Sequence, residues 1–300
     1  FLLVKPSAVE IVEATTTNTS LTVSWKPPQL KRTLSGLIYL YNIKLFDTNG
    51  NLKDEGNTTG EIIVFHNLTP NENYNIEIIV KNNSNSGYWS DPATISVMTK
   101  TGMVIANPEF VGYHWVNQSH VSIIWKPLTL QQRRSPEVTY DLIEPENEFE
   151  VLDITGYSVL FQPSRNKMHH LQLYAKNSHG RNSNISPTSL IIPWPKKDVI
   201  QELSPLITSD NQAIFYWSLV PNVTKYNLIW CKWDSNENEC KDDIRWGHIY
   251  KDERGKKLNI TAHNDYKFAI SAIYTEGEEE EQGPLKWSVC NYRNGRSIKK

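Results

Sequence analysis

The stretch Leu68 to Val80 reads LTPNENYNIEIIV, and its reading decides the fold. Leu68-x-Pro70 and two asparagines make a turn, after which Tyr74, Ile76, Ile78 and Val80 fall on every second position. Side chains two apart on an extended chain share one face, so this spacing predicts a half-buried β-strand. A tyrosine at the head of such a strand, directly after a turn, reads as a tyrosine corner whose hydroxyl is tied to upstream backbone. The piece recurs as Tyr266, Phe268, Ile270, Ala272 and Tyr274, and in the middle of the chain as His169, Leu171, Leu173, Ala175 and Asn177, with His169 in the place of the tyrosine.

Working outward, each copy follows an alternating strand that ends in tryptophan. The three are Leu21-Val23-Trp25, Val121-Ile123-Trp125 and Ala213-Phe215-Trp217. Between them lie Tyr41-Ile43-Leu45 and Tyr226-Leu228-Trp230, again with a period of two. Trp25 to Tyr74 and Trp217 to Tyr266 are both 49 residues apart, and the tryptophans repeat at 100 and 92 residues. That period suits sandwich domains of about a hundred residues, and no amphipathic helical stretch competes. The expected architecture is all-β, three tandem β-sandwiches over 1–101, 102–195 and 196–300. Thr99-Lys100-Thr101-Gly102 forms the first joint, and Pro193-Trp194-Pro195-Lys196-Lys197 a short, stiff second one. Trp on one strand, Leu-x-Pro before Tyr, and alternating apolars ending in Asn resemble the fibronectin type III family.

Composition narrows the function. A net charge of -2 without a basic patch excludes a nucleic-acid footprint. A hydrophobic content of 39% with 10 Trp and 14 Tyr supports a packed core. No run of apolar residues is long enough to span a bilayer; the start at Phe1 reads as a piece of a longer chain. Eight Asn-x-Ser/Thr sequons, at Asn18, Asn57, Asn67, Asn82, Asn117, Asn184, Asn222 and Asn259, fit a secreted, glycosylated surface. Cys231 and Cys240 are close enough in sequence to bridge a hairpin, and Cys290 reads as a buried free thiol. Phosphate loops, nucleophile elbows, His-Glu-x-x-His and CxxC pairs are absent, so no catalytic residue, cofactor or metal is expected. His169 and His170 are strand neighbours on opposite faces and cannot share an ion. The acidic run from Glu276 to Glu281 lacks the ligand spacing calcium requires and reads as a solvated hairpin loop.

Tyr226 to Trp246 reads YNLIWCKWDSNENECKDDIRW. A bridge here would staple a hairpin beside Trp230, Trp233 and Trp246, contributing roughly 2–3 kcal/mol through the closed loop. This run resembles the fifth ectodomain module of the glycoprotein 130 type of class I cytokine receptor, PEFVGYHWVNQSHVSIIWKPL (108–128) and KNSHGRNSNISPTSLIIP (176–193) resemble its fourth module, and GYWSDP (87–92) sits where its Trp-Ser box belongs. The Asn- and Ile-rich composition leans toward invertebrate relatives of the Domeless type. The resemblance implies a single-pass type I receptor on the outer face of the cell membrane. Its implied partners are a secreted helical cytokine, a second receptor chain as homodimer or heterodimer, and a Janus kinase on an intracellular tail outside this chain. Trp89 and Ser90 keep half of the box; Pro92 and Ala93 replace the rest, and Glu77 and Ile79 stand where arginines would, leaving one cation such as Lys81 for Trp89. Elbow loops at 28–36 and 82–88 would offer Lys31, Arg32, Leu34, Asn85 and Tyr88 to a ligand. A tandem fibronectin type III adhesion or guidance receptor, or a decoy receptor, is the alternative expectation.

Overall fold

The structure, a computed structural model, describes residues 5–28, 38–82, 87–147, 149–164, 166–194, 197, 199–207, 212–234, 239–240, 244–251, 253, 256–259, 266–276, 279–288, 291–293 and 296–298. The chain is all-β, with strands in three successive sets of paired sheets.

The first set holds β1 (Glu10–Thr16), β2 (Leu21–Lys26), β3 (Tyr39–Asp47), β4 (Leu52–Thr58), β5 (Ile62–Phe65), β6 (Asn73–Asn82) and β7 (Ala93–Met98). They form a three-stranded sheet, β1-β2-β5, and a four-stranded sheet, β4-β3-β6-β7. The predicted alternation fills the space between them: Leu21, Val23 and Trp25 meet Tyr41, Ile43, Leu45, Ile76, Ile78 and Val80, all nearly inaccessible to water. Tyr74 makes the predicted corner, its hydroxyl accepting from the Thr69 N–H at 2.9 Å. Asp47 closes the β3–β4 turn by accepting from the side chain and backbone of Asn51 and the backbone N–H of Asn49. These bonds, Asn51 foremost and Lys53 beside them, hold its carboxyl down at about 2.

The second set holds β8 (Phe110–Trp115), β9 (Val121–Trp125), a one-turn helix α1 (Leu130–Arg133), β10 (Thr139–Glu144), β11 (Phe149–Ile154), β12 (Ser158–Phe161), β13 (His169–Asn177), β14 (Gly180–Arg181) and β15 (Thr188–Ile192). Its sheets are β12-β9-β8 and β11-β10-β13-β14, with β15 also on β13. The helix was not expected from periodicity. Thr129 and Gln132 form a reciprocal capping box that starts it, and Arg134 in the left-handed region ends it. At the corner, buried His169 replaces tyrosine: its Nδ1 meets Glu144 at 2.8 Å and its Nε2 faces the Ser164 carbonyl at 3.4 Å, the same five-residue reach as Tyr74. His170 is exposed on the other face, as strand geometry requires.

The third set holds β16 (Leu203–Ile207), β17 (Gln212–Trp217), β18 (Lys225–Asp234), β19 (Glu239–Cys240), β20 (Arg245–Tyr250), β21 (Lys256–Asn259), β22 (Tyr266–Glu276), β23 (Glu279–Gln282), β24 (Lys286–Trp287), β25 (Asn291–Arg293) and β26 (Arg296–Ile298). One sheet is β16-β17-β21; the other centres on β18 and β22. Tyr226, Leu228, Phe215, Phe268 and Ile270 fill the core. A corner-like bond comes here from Tyr226, whose hydroxyl accepts from the Val220 N–H at 3.2 Å. The backbone just upstream of Tyr266 lies outside the described residues.

By contacts the chain divides into two compact units, Phe1–Ile105 with Thr129–Val138 and Asn177–Arg181, and Ala106–Leu128 with Thr139–Lys176 and Asn182–Lys300. Within the first unit the segment after β7 is pinned. The Gly102 N–H donates to the Arg134 carbonyl at 3.0 Å, and Asn177 Nδ2 donates to the carbonyls of Gly102 at 2.8 Å and Arg133 at 3.0 Å. A Cβ on Gly102 would stand 2.8 Å from Pro70, so glycine is what lets the chain pass there. In the second unit Pro193 and Trp194 are described and Pro195 is not.

The acidic run differs from its expectation. Glu279–Gln282 is a strand on β22, pairing Tyr274 with Glu281 and Thr275 with Glu280. Glu281 is buried against Lys197 at 2.8 Å, and Glu280 meets Lys225 at 2.7 Å. The strand carries Glu281 inward onto a lysine of the same chain, whereas Glu280, on the opposite face, pairs with Lys225 and stays exposed to solvent as expected.

Candidate binding and bracing surfaces

Two places bring aromatic and cationic side chains together. The first is the end of β6. The Ser90 N–H donates to the Val80 carbonyl at 2.8 Å, and its hydroxyl accepts from the Val80 N–H at 3.0 Å. One serine thus makes both ladder bonds of a strand position, its hydroxyl standing in for a carbonyl. That seats Trp89 with Lys81, the residue after Val80, 4.8 Å above its ring, the single cation expected there. Tyr88 is 61% exposed; Lys31, Arg32, Leu34 and Asn85 lie outside the described residues.

The second place repeats this element, and sequence reading missed it. The Ser288 N–H donates to the Phe268 carbonyl at 2.8 Å and its hydroxyl accepts from the Phe268 N–H at 3.4 Å. Lys267, the residue before Phe268, sits 3.6 Å from the Trp233 ring and 5.1 Å from Trp287. The shared dipeptide Trp-Ser, at 89–90 and 287–288, is the available signal.

Around this second element the predicted clip is formed: Cys231 and Cys240 are disulfide-bonded. Cys290 lies outside the described residues. The clip does not border solvent as a free aromatic stripe. Ile229, Cys231 and Trp233 on β18, with Ala269 on β22, Ile244 and Leu285, bury themselves with Val111 of β8 in one apolar cluster, joined by Ile124, Trp246 and Trp287. β18 is therefore covered on both faces, Tyr226 and Leu228 on its own core and Ile229, Cys231 and Trp233 on this joint. Backbone completes the seam. Leu285 N–H donates to the Tyr113 carbonyl at 2.7 Å, Gln282 Nε2 to the Val111 carbonyl at 3.0 Å, and the Tyr157 hydroxyl to the Cys240 carbonyl at 2.6 Å. Gly112, at φ +145° and a register shift of β8, permits this approach: a Cβ there would meet Gln282 at 2.7 Å and Leu285 at 3.2 Å.

Two titratable groups at the seam are shifted by their burial. Burial, then the nearby carboxylate of Glu281, pushes the Tyr113 phenol up. Burial, then the charge of Lys267, pushes His114 below its ordinary value, so its ring is neutral as it packs edge-on to Trp287 at 6.3 Å. Of the sequons, Asn18, Asn57, Asn67, Asn117, Asn184, Asn222 and Asn259 have exposed asparagines and Asn82 is half-buried. Among the described residues no group of His, Cys, Asp or Glu is placed to hold a metal, and no helix is long and apolar enough to cross a membrane.

Residues 5–96 match the fibronectin type III domain. Over 145 residues, 46% of the chain, the sequence is 29% identical to Ig-like and fibronectin type-III domain-containing proteins 1 and 2 of Caenorhabditis elegans. The aligned part spans 13% and 9% of those two relatives. Among solved structures, the FN1–FN3 domains of chicken CNTN1 align over 99% of both chains at 16% identity and a TM-score of 0.47.

Proposed function

We propose that this chain is a stretch of the extracellular part of a cell-surface receptor or adhesion protein, three fibronectin type III modules in tandem, in which the second and third act together as a rigid arm. The observation that carries this reading is the dry seam of Val111, Ile229, Cys231, Trp233, Ala269 and Leu285. Neighbouring domains move relative to one another by default unless their interface is large and hydrophobic. A disulfide hairpin spent on such an interface serves geometry: whatever is attached at one end of the arm is held at a set distance and angle from the other. The long multidomain relatives of fibronectin type III and Ig-like composition agree with a spacer role.

Hydrogen exchange on the intact chain tests the rigidity. The Leu285 amide, bonded to Tyr113 across the seam, is expected to exchange as slowly as the core amides Ile270 and Leu228. Exchange at the rate of a linker amide sinks the rigid arm.

A second reading, a signalling cytokine receptor of the glycoprotein 130 type, is favoured by the Lys81–Trp89–Ser90 element and its copy at Lys267, Trp287 and Ser288. On that reading the partners are a secreted helical cytokine and a second receptor chain, and a kinase is carried by a tail beyond this chain. Cells expressing the full-length protein, exposed to secreted helical cytokines, are expected to phosphorylate STAT proteins under this reading. Cell clustering without phosphorylation decides for adhesion.

A further inference from the structure

A cleft of about 220 Å³ lies at one end of the second sandwich, and nothing above uses it. Trp115 and Trp194 line it, together with Gln118, Gln162, Ser164 and Lys167. The volume is below the roughly 300–1,000 Å³ of a drug-sized pocket, which fits one sugar ring better than an extended ligand. The chemistry of the lining fits a sugar too. A pyranose presents one apolar C–H face, matched by aromatic rings, and a circumference of hydroxyl and amide groups, matched by carboxamides, a hydroxyl and an amine.

A candidate sugar is tethered at the rim. Asn117 is an exposed sequon in the β8–β9 turn, two residues after Trp115 and directly before Gln118 and Ser119, which also line the cleft. Its Oδ1 accepts from the Ser119 N–H at 2.9 Å, the Ser119 hydroxyl at 3.0 Å and the His120 N–H at 2.9 Å. Those three bonds fix the amide plane and leave Nδ2, the atom that takes a glycan, outside the turn's own bonding.

We propose that the cleft is the seat of the first N-acetylglucosamine of a glycan on Asn117, its apolar face against Trp115 and Trp194. This rests on the extracellular reading above. In the modification, Nδ2 forms a bond to C1 of the sugar while the C1–O bond to a lipid-pyrophosphate donor breaks; the pyrophosphate leaves and the amide gives up one proton. Seated there, the sugar ties the β8–β9 turn to the Pro193-Trp194 segment that leads out of β15. The glycan becomes part of the fold at the entrance to the arm.

The test uses the intact chain secreted from glycosylating cells with sugars carrying ¹³C-labelled acetyl methyls, trimmed enzymatically to one N-acetylglucosamine per site. The signal lost on Asn117→Gln identifies the site. That methyl is expected upfield of the other sequons' methyls, from the tryptophan ring currents, and to rejoin them in Trp194→Ala, a change at a 40% exposed position of the connecting segment. Asn117→Gln is also expected to lower the melting temperature by about 2 °C, whereas Asn184→Gln, outside the cleft, leaves it in place. An Asn117 methyl that resonates with the rest overturns the seat, as does an Asn117 left bare while other sequons are occupied. If every sequon is bare after secretion, the extracellular reading falls with it.

Discussion

The Trp-Ser elements of the first and third sandwiches are built alike and used differently. In each, a serine makes both ladder bonds to one residue of the long central strand, Val80 or Phe268, and a neighbouring lysine covers a tryptophan. Around the first, the outer face of β6 is Asn75, Glu77 and Ile79, with Asn75 exposed. Around the second, the outer face of β22 is Ala269, Ser271 and Ile273, all buried. A local motif fixes its own geometry through hydrogen bonds, but what it contributes depends on what lies over it. Under water it tidies a strand end. Under Val111, Ile124 and His114 it becomes half of a domain joint.

The comparison breaks most visibly at the tryptophans. Trp233→Ala removes a ring 9% exposed from the seam, and losing a large core aromatic costs about 3–5 kcal/mol. Trp89→Ala, at a half-buried ring under one lysine, is expected to cost about 1 kcal/mol or less from the cation–π contact and modest burial. Chemical denaturation of both variants checks this; equal losses would mean the seam contributes nothing. Next in size is the clip. Replacing Cys231 and Cys240 with alanine releases a loop of sequence separation 9 and is expected to cost roughly 2–3 kcal/mol. The loss should also appear as faster exchange of Leu285, since Cys231 is itself part of the seam.

Acid separates the two regions by where each gives way. His114 is depressed in the folded state, so an unfolded chain takes up its proton first: the joint's stability is full above the ordinary value of 6.5 and declines as pH falls below it. The charged group facing that ring is Lys267, from β22, and a second cation beside it is unwelcome. In the first sandwich Asp47 is also depressed, to about 2 from 3.8, so its contribution holds above about 4 and is lost toward 2. Protection of Leu285 against exchange is expected to decline between pH 6.5 and 5 while that of Ile78 holds. His114→Gln should flatten the first decline alone.

Much of the fold was legible because one constraint governs it: a strand buried on one face must alternate. The period-two runs at Leu21–Trp25, Tyr74–Val80 and Ala213–Trp217 yielded core, strand and repeat together, and the tyrosine at the head of the second yielded a corner bond. The joint was legible too, in a signal passed over. In Leu228-Ile229-Trp230-Cys231-Lys232-Trp233 both parities are apolar, which is what a strand covered on both faces requires. Nothing in the acidic run 276–281 foretold Lys197 or Lys225, because pairing across a fold depends on register that charge content does not encode. The helix at Leu130–Arg133 was missed for being one turn long, although Thr129-x-x-Gln132 spells its cap.

The smallest expected effect sharpens the comparison furthest, because it isolates the lysines. Lys81 lies over a single half-buried ring in water, and exposed cation–π contacts are worth about 0.5–1 kcal/mol. Lys81→Met keeps the aliphatic stem against Trp89 and deletes only the charge, so a loss of that size or smaller is expected. Lys267, half-buried, lies over two rings of the seam, Trp233 and Trp287, where partial desolvation strengthens such contacts beyond about 1 kcal/mol. Its charge, however, also presses on His114, so Lys267→Met removes an attraction and a repulsion together. At pH 8, with His114 neutral, Lys267→Met should cost more than Lys81→Met; at pH 5.5 the gap should narrow, since the variant is relieved of the repulsion that the parent then suffers. A gap that is the same at both values would mean the two cations do not feel one another, and the acid sensitivity of His114 would rest on its burial alone.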